Sequence, residues 1–212
     1  MAQHVRNLAA SALILGTLGL HAQGFQGTIE FTKTTGPVVT NYRYFVKDGQ
    51  VRIEEISAKG NVQGVMLVDT RAKSVVALSP DRRLYMDVPN MRLPKEVHAD
   101  MRKTGETRQI AGYTCEKWVA KSAAQDRQMT YWAAKGDFDF FLPLLETLNR
   151  KDEQAVFFMQ FNEVAGVFPM LGIEQKLDGS EASRLEVTKV VPGEQRLALF
   201  AVPQGYTKFE RN

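Results

Sequence analysis

A mainly β fold, a long antiparallel sheet with two or three helices covering one of its faces, is predicted by three features of this chain. From Phe25 to about Ala133, apolar and polar residues alternate in short runs divided by turn residues, the period-two signature of half-buried strands. The texture changes at Gly136, where Phe138, Phe140, Phe141, Phe157, Phe158, Phe161 and Phe168 crowd into one stretch, out of 12 phenylalanines in the chain. Strand patterning returns after Pro169. Helices that interrupt a sheet in this way, and are too apolar to stand in water, must lie across one of its faces.

The elements follow in order. Phe25, Gly27, Ile29 and Phe31 alternate with Gln26, Thr28, Glu30 and Thr32 in a first strand, which Gly36-Pro37 ends. Tyr42, Tyr44 and Val46 line one face of a second, and Asp48-Gly49 is a strong hairpin signal. The next strand carries Val51 and Ile53 on one side and Arg52 and Glu54 on the other, before Lys59-Gly60-Asn61 turns the chain into Gly64 to Asp69. Ser74 to Ser79 and Leu84 to Val88 flank Pro80-Asp81 as a further hairpin. The charged stretch from Pro89 to Thr107 reads as irregular, or weakly helical around Lys95 to Lys103, and as a mobile insertion. Arg108 to Ala111, Thr114 to Ala120 and Gln128 to Ala133 resume the strands as an antiparallel meander. Phe138, Phe141, Leu142, Leu145 and Leu148 then fall at helical spacing, with Asp137 as the expected N-cap. A second helix is expected from Asp152 to about Val164. Met170 to Leu177, Ser183 to Val191 and a last apolar piece ending at Tyr206 complete the chain, with turns at Asp178-Gly179-Ser180 and Pro192-Gly193.

Ahead of the sheet, Arg6 closes a short charged head, apolar residues run from Leu8 to Leu20, and small residues lead to a cut expected after Ala22. Residues 1–22 are therefore expected to be a signal peptide and 23–212 a single domain, periplasmic or secreted. The apolar run is shorter than the roughly 20 residues a membrane-spanning helix needs. Cys115 lies far from the cut, which leaves no thiol there for a lipid, so the protein is expected not to be membrane-integral. A lone cysteine cannot close an internal disulfide, and Cys115 is expected to be buried as a small apolar residue. Lys and Arg number 27 against 24 Asp and Glu, and the basic residues stand beside acids, as Arg82 and Arg83 do beside Asp81. No basic stripe of the kind that binds nucleic acid is formed.

Several of these stretches together resemble a known family. Phe25-x-Gly27-x-Ile29, the hairpin Val46-Lys47-Asp48-Gly49 leading to Arg52-Ile53-Glu54, then Asp69, Leu78-x-Pro80 and Tyr85-Met86 look like a family of secreted bacterial proteins described as a domain of unknown function. Ile110-x-Gly112-Tyr113-x-Cys115-x-Lys117-Trp118 is similar to its central motif, and Leu199-Phe200-x-Val202-Pro203-x-Gly205-Tyr206 to its closing one. The likeness runs from about Phe25 to Tyr206. It implies a distant similarity to the periplasmic lipoprotein-carrier (Lol) fold, a curved half-barrel lidded by helices over a hydrophobic cavity, and it implies no catalytic residues.

Groups that could carry chemistry are few. His4 and His21 fall in the expected leader, which leaves His98, and a zinc site of several cysteines and histidines is excluded by count. Neither a glycine-rich phosphate loop nor a calcium-loop pattern occurs. Glu54 and Glu55 point to opposite faces of one strand, while Asp137 and Asp139 begin a helix, where acids complement the dipole. No enzyme activity, metal or cofactor is expected. Gly27, Gly49 and Gly112 sit where a turn needs positive φ or another backbone passes closely.

Binding is the remaining class. Trp118 and Trp132, on neighbouring strands, are expected to pair across the sheet under the lid, packing the core or stacking on a ligand. Phe141, Leu145, Phe158 and Phe161 of the lid fill the core or line a cavity in the same way. These six are the candidate ligand-binding residues, and the expected ligand is a lipid or acyl chain. The alternatives are a module that docks on another envelope protein through a sheet edge or the 89–107 loop, and a hydrolase with an unrecognised carboxylate pair. An apolar cavity of roughly a few hundred Å³ would favour the first reading, a filled core with an exposed apolar patch the second, and converging acids in a polar cleft the third.

Overall fold

Two sets of strands meet in one sheet, and the first strand lies at the junction. In this computed structural model, which describes residues 24–89, 97–149 and 152–210, β1 (Gly27–Thr35), β2 (Val38–Lys47), β3 (Gln50–Ile56), β4 (Val62–Asp69), β5 (Ser74–Ser79) and β6 (Leu84–Asp87) form consecutive antiparallel hairpins. On the other side of β1 the sheet continues through β11 (Glu181–Pro192), β10 (Val167–Gln175), β9 (Arg127–Lys135), β8 (Tyr113–Ser122) and β7 (Asp100–Ile110). These pairings are antiparallel as well. Among the described strands only β12 (Thr207–Lys208) departs from the pattern, pairing parallel to β6. The expected signal peptide lies outside the described residues.

Register carries the alternation from strand to strand. Ile29 stands opposite Tyr44, Tyr44 opposite Ile53, Ile53 opposite Met66 and Met66 opposite Ala77, so one row of mostly apolar side chains crosses the concave face. Register shifts at Glu30/Phe31, Glu55/Ile56, Pro169/Leu171 and Glu174/Gln175 each set one extra residue into a strand, as bulges do. Each bends its strand and adds twist, which curls an open sheet of this width.

Two helices cover that face. The first, α1 (Phe141–Leu148), begins later than its spacing predicts. Asp137 is not its N-cap: Phe140 holds that position without a side-chain bond, and the Asp137 carbonyl accepts from the Phe25 N–H at 2.6 Å. Phe138 and Phe140 are instead anchors, packed against Phe25 at 5.3 and 5.9 Å between ring centres. The second helix, α2 (Glu153–Phe158), starts at the expected cap, Asp152, but stops well before Val164. Left-handed backbone at Glu163 and Gly166 (φ 62° and 68°) turns the chain into β10, so Phe161 and Val164 are buried from a turn rather than from a helix. A third short piece, the 3₁₀ turn Leu197–Phe200, lies against β3.

The stretch read as irregular contains a strand. Residues 90–96 lie outside the described part, but Asp100–Ile110 is β7, an edge strand exposed along most of its length. A strand with water on so many sides needs no apolar alternation, and charges on it discourage pairing with other chains. Beyond β11 the C-terminal segment crosses to the far edge. Lys47 Nζ donates to the Gln195 carbonyl at 3.0 Å and an Arg52 guanidinium nitrogen to that of Leu199 at 3.2 Å. Val202 and Tyr206 then pack on Val65, Leu67 and Leu78, a second small core, before β12 joins β6.

Candidate binding site

The aromatic residues of lid and sheet form a nearly continuous chain. Phe141 packs on Phe168 at 4.5 Å and on Phe158 at 5.6 Å, Phe158 on Tyr131 at 5.4 Å, and Trp118 on Phe161 at 5.1 Å. The chain leaves a gap. Between α1, α2 and the concave face lies an apolar cavity of about 120 Å³, walled by Phe31, Tyr42, Tyr44, Tyr131, Phe168, Phe141, Leu145, Leu148, Ala155 and Phe158 among others. Lys33 and Asp152 form an ion pair at its edge, both side chains 29% exposed. Asp152 Oδ1 accepts from the N–H groups of Gln154 and Ala155 at 3.1 and 3.4 Å, and its Oδ2 takes Lys33. Both carboxylate oxygens are therefore engaged.

A polar relay pins α2 to the sheet beside the cavity. The buried Tyr131 hydroxyl donates to the Gln154 carbonyl at 2.7 Å, Gln154 Nε2 donates to Ser183 Oγ at 2.8 Å, and that hydroxyl donates to Glu174 Oε2 at 2.8 Å. Arg127 closes the series on Glu174 Oε1 at 3.0 Å. Gly172 makes room for it, since a Cβ there would lie 2.3 Å from Gln154 Oε1. Burial, reinforced by the carboxylates of Asp152, Glu174 and Glu153, pushes the Tyr131 hydroxyl well above its ordinary pKa, so it remains a donor. Burial also raises the Cys115 thiol, against opposing effects of a backbone hydrogen bond and Arg108.

Of the six candidates, Phe141, Leu145 and Phe158 line the cavity. Phe161 and Trp118 stand behind it and fill space, Trp118 stacking on Phe158 at 6.1 Å with the Lys103 ammonium 4.6 Å from its own ring centre. Trp132 is elsewhere. Trp118 pairs with Tyr131, whereas Trp132 pairs with Lys117, so the two indoles project from opposite faces and do not pair under the lid. The Arg108 guanidinium covers Trp132 at 4.1 Å. The residue of β9 that reaches the cavity is the neighbouring Tyr131. Lys33 and Asp152 complete the rim; continuing the alternation of Gly27, Ile29 and Phe31 by one step places Lys33 on the buried face, and that is the signal that could have found it. Among the described residues no group of three or more His, Cys, Asp or Glu is placed to hold a metal ion. No helix among them is long and apolar enough to cross a membrane.

A half-barrel with a helical lid over an apolar cavity is the architecture implied by the lipoprotein-carrier resemblance. Residues 25–206 match the family described as "Domain of unknown function (DUF4412)", and the chain belongs to that family. A comparison with curated proteins finds no match. Among solved structures, an uncharacterized conserved protein from Thermus thermophilus is similar at 14% identity and a TM-score of 0.53, over 88% of this chain and 91% of that one. MucB in complex with MucA(peri) is similar at 14% identity and a TM-score of 0.50, over 86% of this chain. The chain spans 55% of the length of that MucB chain. At these identities the likeness is one of fold.

Proposed function

We propose that this protein is a non-catalytic binding module that works outside the cytoplasm, in the periplasm or the medium, and receives an apolar group of its ligand between the sheet and the helical lid. The cavity carries this reading. Its walls are mainly apolar, and an apolar group entering it would be taken out of water, which is favourable by roughly 25 cal/mol per Å² buried. The leader-like segment from Arg6 to Ala22 supports the address, and a cavity wall built mainly of aromatic and aliphatic side chains supports binding over catalysis. An acyl chain is the ligand expected from the resemblance. Its terminal part fits the cavity, and a full-length chain requires the lid to move.

The test is Leu145→Trp, which adds bulk at a cavity-lining position. If the space is available, the indole enters with little change in melting temperature while saturable binding of a fluorescent fatty-acid analogue is lost. In a filled core the same change costs about 1–3 kcal/mol through overpacking. A strongly destabilised variant, together with delipidated wild-type protein that binds no apolar probe, would refute the proposal.

A further inference from the structure

Resting on that reading, we infer that the group the cavity takes is a single bulky apolar side chain of a partner polypeptide, with the partner's backbone carbonyl accepting from Lys33. Size is the first ground. An engineered apolar cavity of about 150 Å³ binds benzene, so about 120 Å³ between sheet and lid suits one phenylalanine- or leucine-sized group, and a membrane-length acyl chain overfills it. The second is the chemistry of the rim. Lys33 is the only cation among the described residues that line the cavity. Its ammonium carries three hydrogens, of which the Asp152 bond uses one.

Charge decides what kind of acceptor suits Lys33. Asp152 already neutralises it, and both Asp152 oxygens are occupied, by Lys33 and by the first turn of α2. A free carboxylate brought to Lys33 would stand beside the Asp152 carboxylate and be repelled. A neutral amide carbonyl accepts the remaining donors without that penalty. A peptide bond beside an apolar side chain supplies both parts: a ring for the cavity and a neutral acceptor at its edge. Pockets that seat one buried apolar anchor among less energetic contacts are the usual centres of protein interfaces.

Four probes titrated into the protein test this inference by NMR: toluene, 3-phenylpropanamide, 3-phenylpropanoate and laurate. The expected result is that the amide competes with toluene and binds about tenfold more tightly than the carboxylate, the scale of one hydrogen bond. Lys33→Met keeps the apolar stem and removes the ammonium. It should weaken the amide about tenfold and leave toluene unchanged, which also shows that the cavity is intact. If that variant misfolds, the comparison of amide with carboxylate on the wild-type protein still decides. Laurate displacing toluene where the amide does not would assign the cavity to acyl chains and overturn the peptide inference alone. An amide that binds no better than the carboxylate, or equally well to Lys33→Met, overturns it too. Failure of all four probes would overturn the cavity reading itself.

Discussion

At the scale of single residues, Tyr131 joins cavity, lid and relay. Tyr131→Phe should cost about 0.5–1.5 kcal/mol, because it removes a buried hydrogen bond to the Gln154 carbonyl. Its pH signature follows from linkage. The folded-state pKa is raised above the ordinary tyrosine value of 10.0, so above that value the unfolded chain binds fewer protons at this site than the folded one, and stability falls as pH rises. Below it the contribution is fully present. Denaturant titrations from pH 8 to 11 should show a decline that is shallower in Tyr131→Phe. Gly27 admits no side chain: a Cβ there would lie 2.4 Å from the Val191 carbonyl oxygen, with φ at +155°. Gly27→Ala should greatly lower the yield of folded protein. The motif glycine was legible as a close approach of backbones. Trp132 was not legible as an outward residue, because either indole could face the lid until the register with β8 fixed which one does.

At the scale of elements, the lid rests on aromatic packing more than on helix formation. α1 has no side-chain cap and α2 is one and a half turns long, lengths that are marginal in isolation. Phe141→Ala and Trp118→Ala should each cost about 3–5 kcal/mol, through lost transfer energy and the cavity left behind, and thermal melts would measure it. Unchanged melting temperatures for both would contradict the lid-on-sheet packing, since both side chains are buried. Cys115→Ala should be nearly neutral and Cys115→Ser more costly, because the site is fully buried. The strands of the meander could be read because each shows one face to the core. β7 could not, as an edge strand of mostly exposed residues carries no alternation. The ends of α1 and α2 were hidden for a different reason: Phe138, Phe140 and Phe161 are apolar like helix positions, yet they are buried from turns.

At the scale of the molecule, the closing motif belongs to the outer face. Leu199 and Val202 to Tyr206 run over the convex side as a strap, which screens Val65, Leu67 and Leu78 from water. Removing residues 197–208 should therefore expose an apolar patch and promote self-association, as light scattering would show, with the lid cavity still present. The helix-covered antiparallel sheet was legible, since alternation, turn spacing and late helices all pointed to it, and its curvature into a half-barrel came from the family resemblance; the strap was not, because a short apolar segment has no period to say which face it covers. The place of β1 at the sheet's centre has a kinetic consequence. Its hairpin with β2 is local, but its other neighbour, β11, joins Gly27 to Pro192 and Thr35 to Ser183, so the sheet stays in two pieces until almost the whole chain is present. Such non-local closure makes for slow folding. A chain threaded from its N-terminus across a membrane would emerge with one flank of β1 open, an unpaired edge exposed to stray strands until β11 arrives to zip the halves together.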